Sequence, residues 1–414
     1  MNEFSQKLDM RTSKFSPRLW IVFMSFIGTL FFFLFQGGKL SFMIFIIVFV
    51  ICVYLVLGKW SGIAKTRGGR TLVNAEMESI LEAGTSLVVK LQIEVPGYWP
   101  MPYVLIKDRL LRRHGGEHLY ESSIIPDWRR QGMVEYKTPP LRRGHYHFGL
   151  TDCSTEDIFG FFEHKGTLKL EQSFSVLPQR IAIREWKQIH HMLKGTHHHS
   201  ITTRALRETT QINGVREYNY GDRLSRIHWN ATARTGTLKS KEFERESLPK
   251  TIIVLDRQLS SYEDKEAFEL AVSVTSSLID YGSKHDMALG LLSVGADSVF
   301  YEPSLSQSQH KLIISHLIQV EADGFYPVAQ VLRDRSRYLV PGMFIAVVSP
   351  TKGNRILPAF AWIDQRQMNP CHMWIGGNRD EVNEAWLSTL RMKGYVGYPI
   401  PTLLDLPLVL GGRG

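Results

Sequence analysis

The sequence predicts an α+β multidomain chain: an N-terminal transmembrane helical hairpin, an antiparallel β-sandwich, and a C-terminal α/β domain. Three observations predict it. Two charge-free apolar runs stand near the N-terminus, short alternating runs broken by Gly and Pro follow, and β-branched apolar runs alternating with helical spacing complete the chain. At 414 residues, with 44% hydrophobic and 21% charged content, the chain is too long for one ordinary core and too apolar for disorder.

Residues 19–35 read LWIVFMSFIGTLFFFLF and residues 40–57 read LSFMIFIIVFVICVYLVL, separated by Gln36, Gly37, Gly38 and Lys39. At ~1.5 Å rise per residue each run reaches roughly 26 Å, near the lower limit for crossing a bilayer core. A signal peptide would need a cleavage site and no second span. Lys7, Arg11, Lys14 and Arg18 precede the runs and Lys59, Lys65, Arg67 and Arg70 follow them, while the turn offers Lys39. The positive-inside rule then puts both ends, and the domains beyond, in the cytoplasm of a multi-pass cell-membrane protein. These basic flanks read as topology signals and lipid-headgroup contacts, with residues 1–70 as the anchor. Part of the +9 net charge is thereby spent at the bilayer, and no platform of aromatic and basic residues suits a nucleic acid. Cys52, Cys153 and Cys371 form no C-x-x-C pair, which fits a reducing compartment and argues against a zinc site.

Residues 71–180 read as the β-sandwich: runs such as SLVVKLQIEV at 86–95 alternate, and no helix of about a dozen residues interrupts them. Within the region, Arg142-Arg143-Gly144-His145-Tyr146 reads as a Gly-containing turn beside paired arginines. Asp157-Ile158-Phe159-Gly160-Phe161-Phe162 reads as an Asp-led turn whose three phenylalanines enter the core. From residue 251 to 414, runs at 252–256, 288–294, 343–349 and 372–375 read as buried strands, and 265–281 and 381–393 carry helical spacing. That alternation implies a largely parallel sheet covered on both faces, with ligands gathering at the strands' carboxyl ends, where Asp256 and Ser349 fall.

Between them, residues 181–250 form a linker and a distinctive segment. Gly221 supplies a turn, Asp222 an N-cap and Gly236 a stop, so the capping chemistry predicts a helix over 223–235. On a helical wheel Leu224, Ile227, His228 and Ala231 share an apolar face; Arg223, Arg226, Asn230 and Arg234 make an adjoining stripe. The stripe has two readings. Its arginines pair with Glu217, Glu242, Glu244 and Glu246, docking the helix on its own domain, or they face an acidic partner. Arg223 and Arg226 are the candidates for partner contact. Arg216, Glu217, Tyr218, Gly221, Asp222, His228, Trp229, Arg234, Glu242 and Glu246 are read as structural, His228 as a core histidine.

The string R-E-Y-x-x-G-D-x-x-x-x-I-H-W-x-x-x-A-R-x-G-x-L-x-x-K-E-F-E-R-E resembles the signature of the domain-of-unknown-function family numbered fifty-eight. The apolar hairpin, the R-R-G-x-Y element at Tyr146, the D-I-F-G-F-F element and the V-L-P at 176–178 resemble that family in the same order. The resemblance implies a bacterial membrane protein whose last domain is von Willebrand factor A-like, found alongside a MoxR-type AAA ATPase and a transglutaminase-like membrane protein. Metal-holding von Willebrand A domains present D-x-S-x-S after their first strand. Here Asp256-Arg257-Gln258-Leu259-Ser260 replaces the middle hydroxyl by an amide, and a later strand ends at Ser349 rather than Asp. Asp256 and Ser260 are thus candidates for a degenerate site, with no metal and no cofactor expected.

Enzyme signatures are missing: there is no G-x-x-x-x-G-K-[ST], no G-x-G-x-x-G after a strand, no G-x-S-x-G and no H-E-x-x-H. His197, His198 and His199, with His190 and His191 nearby, read as a solvated linker because consecutive histidines cannot all face one ion. The expectation is a membrane-anchored scaffold or adaptor for protein partners, such as the MoxR-type ATPase. The alternative is a metal-assisted or hydrolytic enzyme with a site near Asp256.

Overall fold

The computed structural model describes residues 17–58, 61–73, 81–98, 101–160, 162–187, 189, 208–219, 224–245, 250–376 and 381–411. The chain divides into two compact units, Met1–Leu177 and Pro178–Gly414. Together they make a mixed α+β protein with an apolar helical N-terminus and several sheets.

In the first unit α1 (Pro17–Gln36) and α2 (Gly38–Leu57) turn back on each other at Gly37, whose φ of 61° lies in the left-handed region. Phe26 packs on Phe45 and Phe49, with ring centroids 5.8 and 6.2 Å apart, and Phe33 packs on Phe42 and Phe45. The outward faces stay apolar: Phe35, Leu40, Val50 and Val56 are all exposed. By length and composition α2 is long and apolar enough to cross a membrane, and Trp20–Gln36 is a shorter apolar helix.

Ten strands follow: β1 (Arg67–Leu72), β2 (Leu81–Glu82), β3 (Val88–Glu94), β4 (Val104–Arg112), β5 (Glu117–Ile124), β6 (Gln131–Lys137), β7 (Gly144–Phe148), β8 (Thr151–Glu156), β9 (Glu163–Leu168) and β10 (Ser173–Leu177). Among the described residues they form a three-stranded sheet in the order β1-β3-β6 and a seven-stranded sheet in the order β2-β10-β7-β4-β8-β9, with β5 beside β4. Alternate residues of both sheets, among them Val89, Leu91, Ile93, Val104, Ile106, Leu110 and Phe148, share one apolar core. Tyr146 donates to the Arg142 carbonyl four residues upstream, at 2.9 Å, pinning the turn before β7.

Two sequence expectations change in this unit. Arg70 is no headgroup contact. It lies inside the protein, 2.6 Å from Asp108, with both side chains 1% exposed. Its place on β1, with a guanidinium 3.9 Å above the Phe148 ring, turns it inward. The phenylalanines of the D-I-F-G-F-F turn do not all enter the core either. Asp157 accepts from the N–H groups of Phe159 and Phe162, at 2.8 and 2.6 Å, which curls the loop so that Ile158 and Phe159 point outward. Phe162 is half-buried, and Phe161 lies outside the described residues.

The second unit opens with a packed segment: Trp186 is fully buried against Tyr281 and Phe344. Next come β11 (Glu208–Glu217), α3 (Trp229–Thr235) and β12 (Lys239–Arg245), with β11 and β12 pairing as an antiparallel ribbon. The rest alternates: β13 (Thr251–Asp256), α4 (Lys265–Lys284), β14 (Leu289–Val294), β15 (Val299–Ser304), α5 (Gln307–Gln319), α6 (Val328–Asp334), β16 (Phe344–Ser349), α7 (Leu357–Gln365), β17 (Asn369–Ile375), α8 (Glu381–Met392) and β18 (Val396–Ile400). The sheet order is β15-β14-β13-β16-β17-β18, and β15 alone in it is antiparallel. β13, β14 and β16 are buried along their whole length, as strands covered on both faces must be. Ile252, Val254, Ile345 and Val347 meet α6, α7 and α8, while Ile253 and Leu255 alternate to the face that α4 covers.

Candidate functional site

The sheet runs outward in both directions from the neighbours β13 and β16, so the crevice between their carboxyl ends is a topological switch point, where ligands of such sheets gather. Asp256 ends β13 there and Ser349 ends β16; both are buried. The Ser349 hydroxyl donates to Asp256 Oδ2 at 2.7 Å, and the Gln258 N–H donates to Oδ1 at 2.9 Å. The hydroxyls of Ser261 and Thr351, 3.0 Å apart, bond toward the same carboxylate. Burial nevertheless outweighs these donors and raises the Asp256 pKa above the usual carboxylate range.

Second-layer groups fix this arrangement. Arg257 is buried and spreads its guanidinium over the Glu321 carbonyl, the Ser293 hydroxyl and Asp323, the last at 2.7 Å. It thereby ties the loop after β13 to the end of β14. His372 on β17, fully buried, has Nε2 3.2 Å from the Ser349 carbonyl and receives the Trp386 indole N–H on Nδ1 at 3.4 Å. Those partners select the tautomer with the proton on Nε2. Burial pushes the His372 pKa down to about 3. The imidazole is therefore neutral, a spacer between α8 and the strand end rather than a base.

The donor set suits a cation poorly. Ser349 and Gln258 already occupy both carboxylate oxygens, Gln258 brings an amide, and Asp256 would be the single anionic ligand. Among the described residues no three His, Cys, Asp or Glu side chains gather in metal-binding proximity. The sequence-predicted Ser260 is exposed on a short turn at Leu259–Ser261, and the hydroxyl facing the carboxylate is that of Ser261. A 3₁₀ turn advances side chains by a third of a circle per residue, so neighbouring serines face different ways.

The ribbon carries the other sequence-predicted residues. His228 has φ −90° and ψ 85°, outside the helical region, and its Nδ1 accepts from the Ala231 N–H at 3.1 Å. It is an N-cap, so the helix starts at Trp229 rather than running unbroken from residue 223. The wheel consequently fails across the break: Ile227 is buried, Leu224 and Trp229 are exposed, and His228 and Ala231 are half-buried. Gly236 closes α3 in the left-handed region at φ 71°.

Residues 214–330 match the family described as Protein of unknown function DUF58. The DUF58 match thus spans α3 with most of its ribbon and the strands β13, β14 and β15 of the sheet that follows. A relative, the uncharacterized protein YeaD of Bacillus subtilis (strain 168), is 25% identical over 317 residues, 73% of this chain and 74% of its own length. Among solved structures, an aerotolerance-related membrane protein from Bacteroides fragilis NCTC 9343, carrying multiple mutations to serines, is 13% identical. It covers 39% of this chain and 96% of its own, at a TM-score of 0.30. A putative late embryogenesis abundant protein is 8% identical, covering 31% of this chain and 87% of its own at a TM-score of 0.19. Neither score supports a shared fold.

Within the DUF58 signature, Arg216 donates to the Glu217 carbonyl at 3.0 Å, and exposed Glu217 pairs with Lys239 at 3.1 Å. The Tyr218 N–H bonds the Leu238 carbonyl at 2.9 Å, closing the ribbon over α3. Arg234 is exposed in the last turn of α3. Arg226 ends the short turn Leu224–Arg226, and Glu242 lies on β12 opposite Gly214. Gly221, Asp222, Arg223 and Glu246 lie outside the described residues, as do the histidines at 190, 191 and 197–199. Sequence reasoning missed Ser261, Thr351 and His372. The first two are hydroxyl residues in loops, and the third reads as part of an apolar strand.

Proposed function

We propose that this DUF58 protein is a membrane-held platform whose cytoplasmic domains recruit protein partners, with no catalysis required. The observation that carries the reading is the Asp256 carboxylate. Its hydrogen-bonding groups come from the loops after β13 and β16, so it fixes the shape of the crevice surface instead of offering a free acid to a substrate. The order of the six strands around β13 supports a von Willebrand factor A-like domain at residues 251–414, preceded by an anchor at 1–70, a β-sandwich at 71–180 and the linker with signature at 181–250. The Tyr146 tie is the kind of corner that β-sandwiches use. Both α1 and α2 cross the bilayer in this reading, and the basic residues flanking them hold both chain ends in the cytoplasm.

The partners proposed are those the family resemblance implies, a MoxR-type AAA ATPase and a transglutaminase-like membrane protein, contacted through Arg223 and Arg226. Crosslinking and pull-down of the intact membrane protein tests this. Arg223→Glu and Arg226→Glu variants should lose capture of the ATPase, in a salt-sensitive way, without a change in melting temperature. Undiminished capture, or unfolding of both variants, removes the docking surface. The raised pKa of Asp256 at a switch point favours a second reading, a metal-assisted or hydrolytic site. A stoichiometric magnesium or manganese isotherm abolished by Asp256→Asn would establish that reading in place of the first.

A further inference from the structure

α2 ends at Leu57, and the chain enters β1 at Arg67 through a short connection that lies against one end of the β-rich unit. Strand register shows what else lies at that end. Glu94 closing β3 pairs with Arg67 opening β1 and Gln131 opening β6; Val104 opening β4 pairs with Ile124 closing β5; Glu156 closing β8 pairs with Glu163 opening β9. The loop residues 95–98, 101–103, 125–130, 157–160 and 162 are therefore neighbours of the helix exit.

Side chains tie them to it. The Ile158 N–H bonds the Tyr54 hydroxyl on α2 at 3.3 Å, and Phe159 meets the Tyr54 ring edge-on at 6.2 Å. Arg130, at a positive φ of 62°, reaches the Ser61 carbonyl just beyond α2 and the Val95 carbonyl at 2.8 Å. Gly62 sits so close to the Pro96 carbonyl that a Cβ there would collide with it.

These same loops hold out large apolar side chains. Tyr98, Ile125, Trp128, Ile158 and Phe159 are 104%, 81%, 83%, 70% and 52% exposed. Exposed Lys65, Arg67 and Arg129 stand among them, Arg129 over the Trp128 ring at 4.6 Å. Carboxylates stand there too: Asp127 and Asp157 accept loop N–H groups, Glu156 takes the Tyr103 hydroxyl, Glu163 meets Lys165, and Glu94 lies opposite Arg67, so the face carries charges of both signs. Exposed aromatic and aliphatic side chains interleaved with Lys and Arg, continuous with an apolar helix long enough to cross a membrane, have the chemistry of the bilayer interface.

We propose that the loop residues 95–98, 125–130 and 157–160 dip into the lipid headgroup region around the exit of α2, so that the β-rich unit rests on the bilayer instead of hanging from a free tether. The inference rests on α2 crossing the membrane. It goes beyond the platform reading by assigning a second, peripheral membrane contact to a soluble unit.

The test uses the full chain, with Cys52, Cys153 and Cys371 replaced by Ala, reconstituted into vesicles of zwitterionic and anionic lipid. An environment-sensitive fluorophore is attached to a single cysteine introduced as Trp128→Cys or Phe159→Cys. Phe49→Cys on α2 serves as the deep control, and His114→Cys in the β4–β5 turn, at the opposite end of the unit, as the aqueous one. Labels at 128 and 159 should emit to the blue of the label at 114 and lose more emission to a nitroxide near the headgroups than to one at the bilayer centre, with the label at 49 showing the reverse. Water-like emission at 128 and 159 with quenching at 49 overturns the proposal and leaves the anchor standing. Blue-shifted emission that lipid nitroxides do not quench means another protein covers the loops, which also overturns it. No quenching at 49 removes anchor and proposal together.

Discussion

The two units bury charge in opposite ways. In the β-rich unit Asp108 faces Arg70, and the pair is closed by Thr151 at 2.9 Å, the Tyr136 hydroxyl, the Leu170 carbonyl and the Phe148 ring. Arg70 and Tyr136 come from the three-stranded sheet, Asp108 and Thr151 from the other, so the network fixes how the sheets meet across their core. In the α/β unit Asp256 is equally buried but meets neutral donors only, and among the described residues no ion pair involves it. A paired charge costs little to keep and much to break, whereas a charge without a counter-ion stays costly in the folded state. The first arrangement is architecture. The second stands at the end of a strand where a sheet of this order places its ligands, and its hydroxyl and amide donors shape the crevice surface there.

The sharpest way to break the contrast is to remove one member of each. Asp108→Ala strands the Arg70 guanidinium in an apolar core and should cost about 3–5 kcal/mol, read as a large fall in the melting temperature of the purified protein in detergent. Arg70→Met combined with Asp108→Leu should recover much of that loss, because a well-packed apolar pair carries no desolvation penalty. Equal losses for the single and the double change would show that the network is not a closed pair.

For the α/β unit the expected effects depend on pH, with opposite signs. His372 has an ordinary imidazole pKa of about 6.5 when unfolded, and burial pushes it down to about 3 in the folded chain. Below the unfolded value only the unfolded chain takes up the proton, so stability should fall by about 1.4 kcal/mol per unit as pH drops from there toward the folded value. His372→Gln should flatten that slope. Asp256 has a raised folded pKa, so its destabilising contribution is absent in acid and develops as pH rises through the carboxylate range. Asp256→Asn should accordingly raise the melting temperature at neutral pH and leave it unchanged below the unfolded carboxylate value. A lower melting temperature for Asp256→Asn at neutral pH would place Asp256 with Asp108, as architecture.

Much of the second unit was legible because its signals are local. Short apolar runs mark β13, β14 and β16, whose burial on both faces requires no partner to be known in advance. The apolar runs of α1 and α2 are equally direct. The charge networks were not legible. Arg70 and Asp108 are brought together by β1, β3 and β4 folding into two sheets, and Arg70 stands where the basic flank of a membrane helix is expected. Asp256 and Ser349 could be placed at strand ends, but the choice of Ser261 over Ser260 depends on the tightness of one turn. The D-I-F-G-F-F turn looked like core because composition records hydrophobicity and not direction. Asp157, by holding two loop N–H groups, sets the direction.

The smallest effect belongs to His228, a polar side chain satisfied by backbone alone and half-buried, intermediate between the two carboxylates. An imidazole cap satisfies one of the N–H groups that a helix start leaves open, and α3 is only seven residues long, so little else inside the helix holds that end. His228→Ala should cost about 0.5–1 kcal/mol, the lower part of the range for capping residues, and His228→Asn should restore most of it because a short side-chain oxygen reaches the same N–H. The cap works through Nδ1, which accepts from the Ala231 N–H. Hydrogen exchange at Ala231 reads the effect locally. An Ala231 amide that exchanges equally in wild type and His228→Ala would mean that the ribbon, through the His228 N–H bond to the Lys239 carbonyl at 2.8 Å, holds the helix start without the cap.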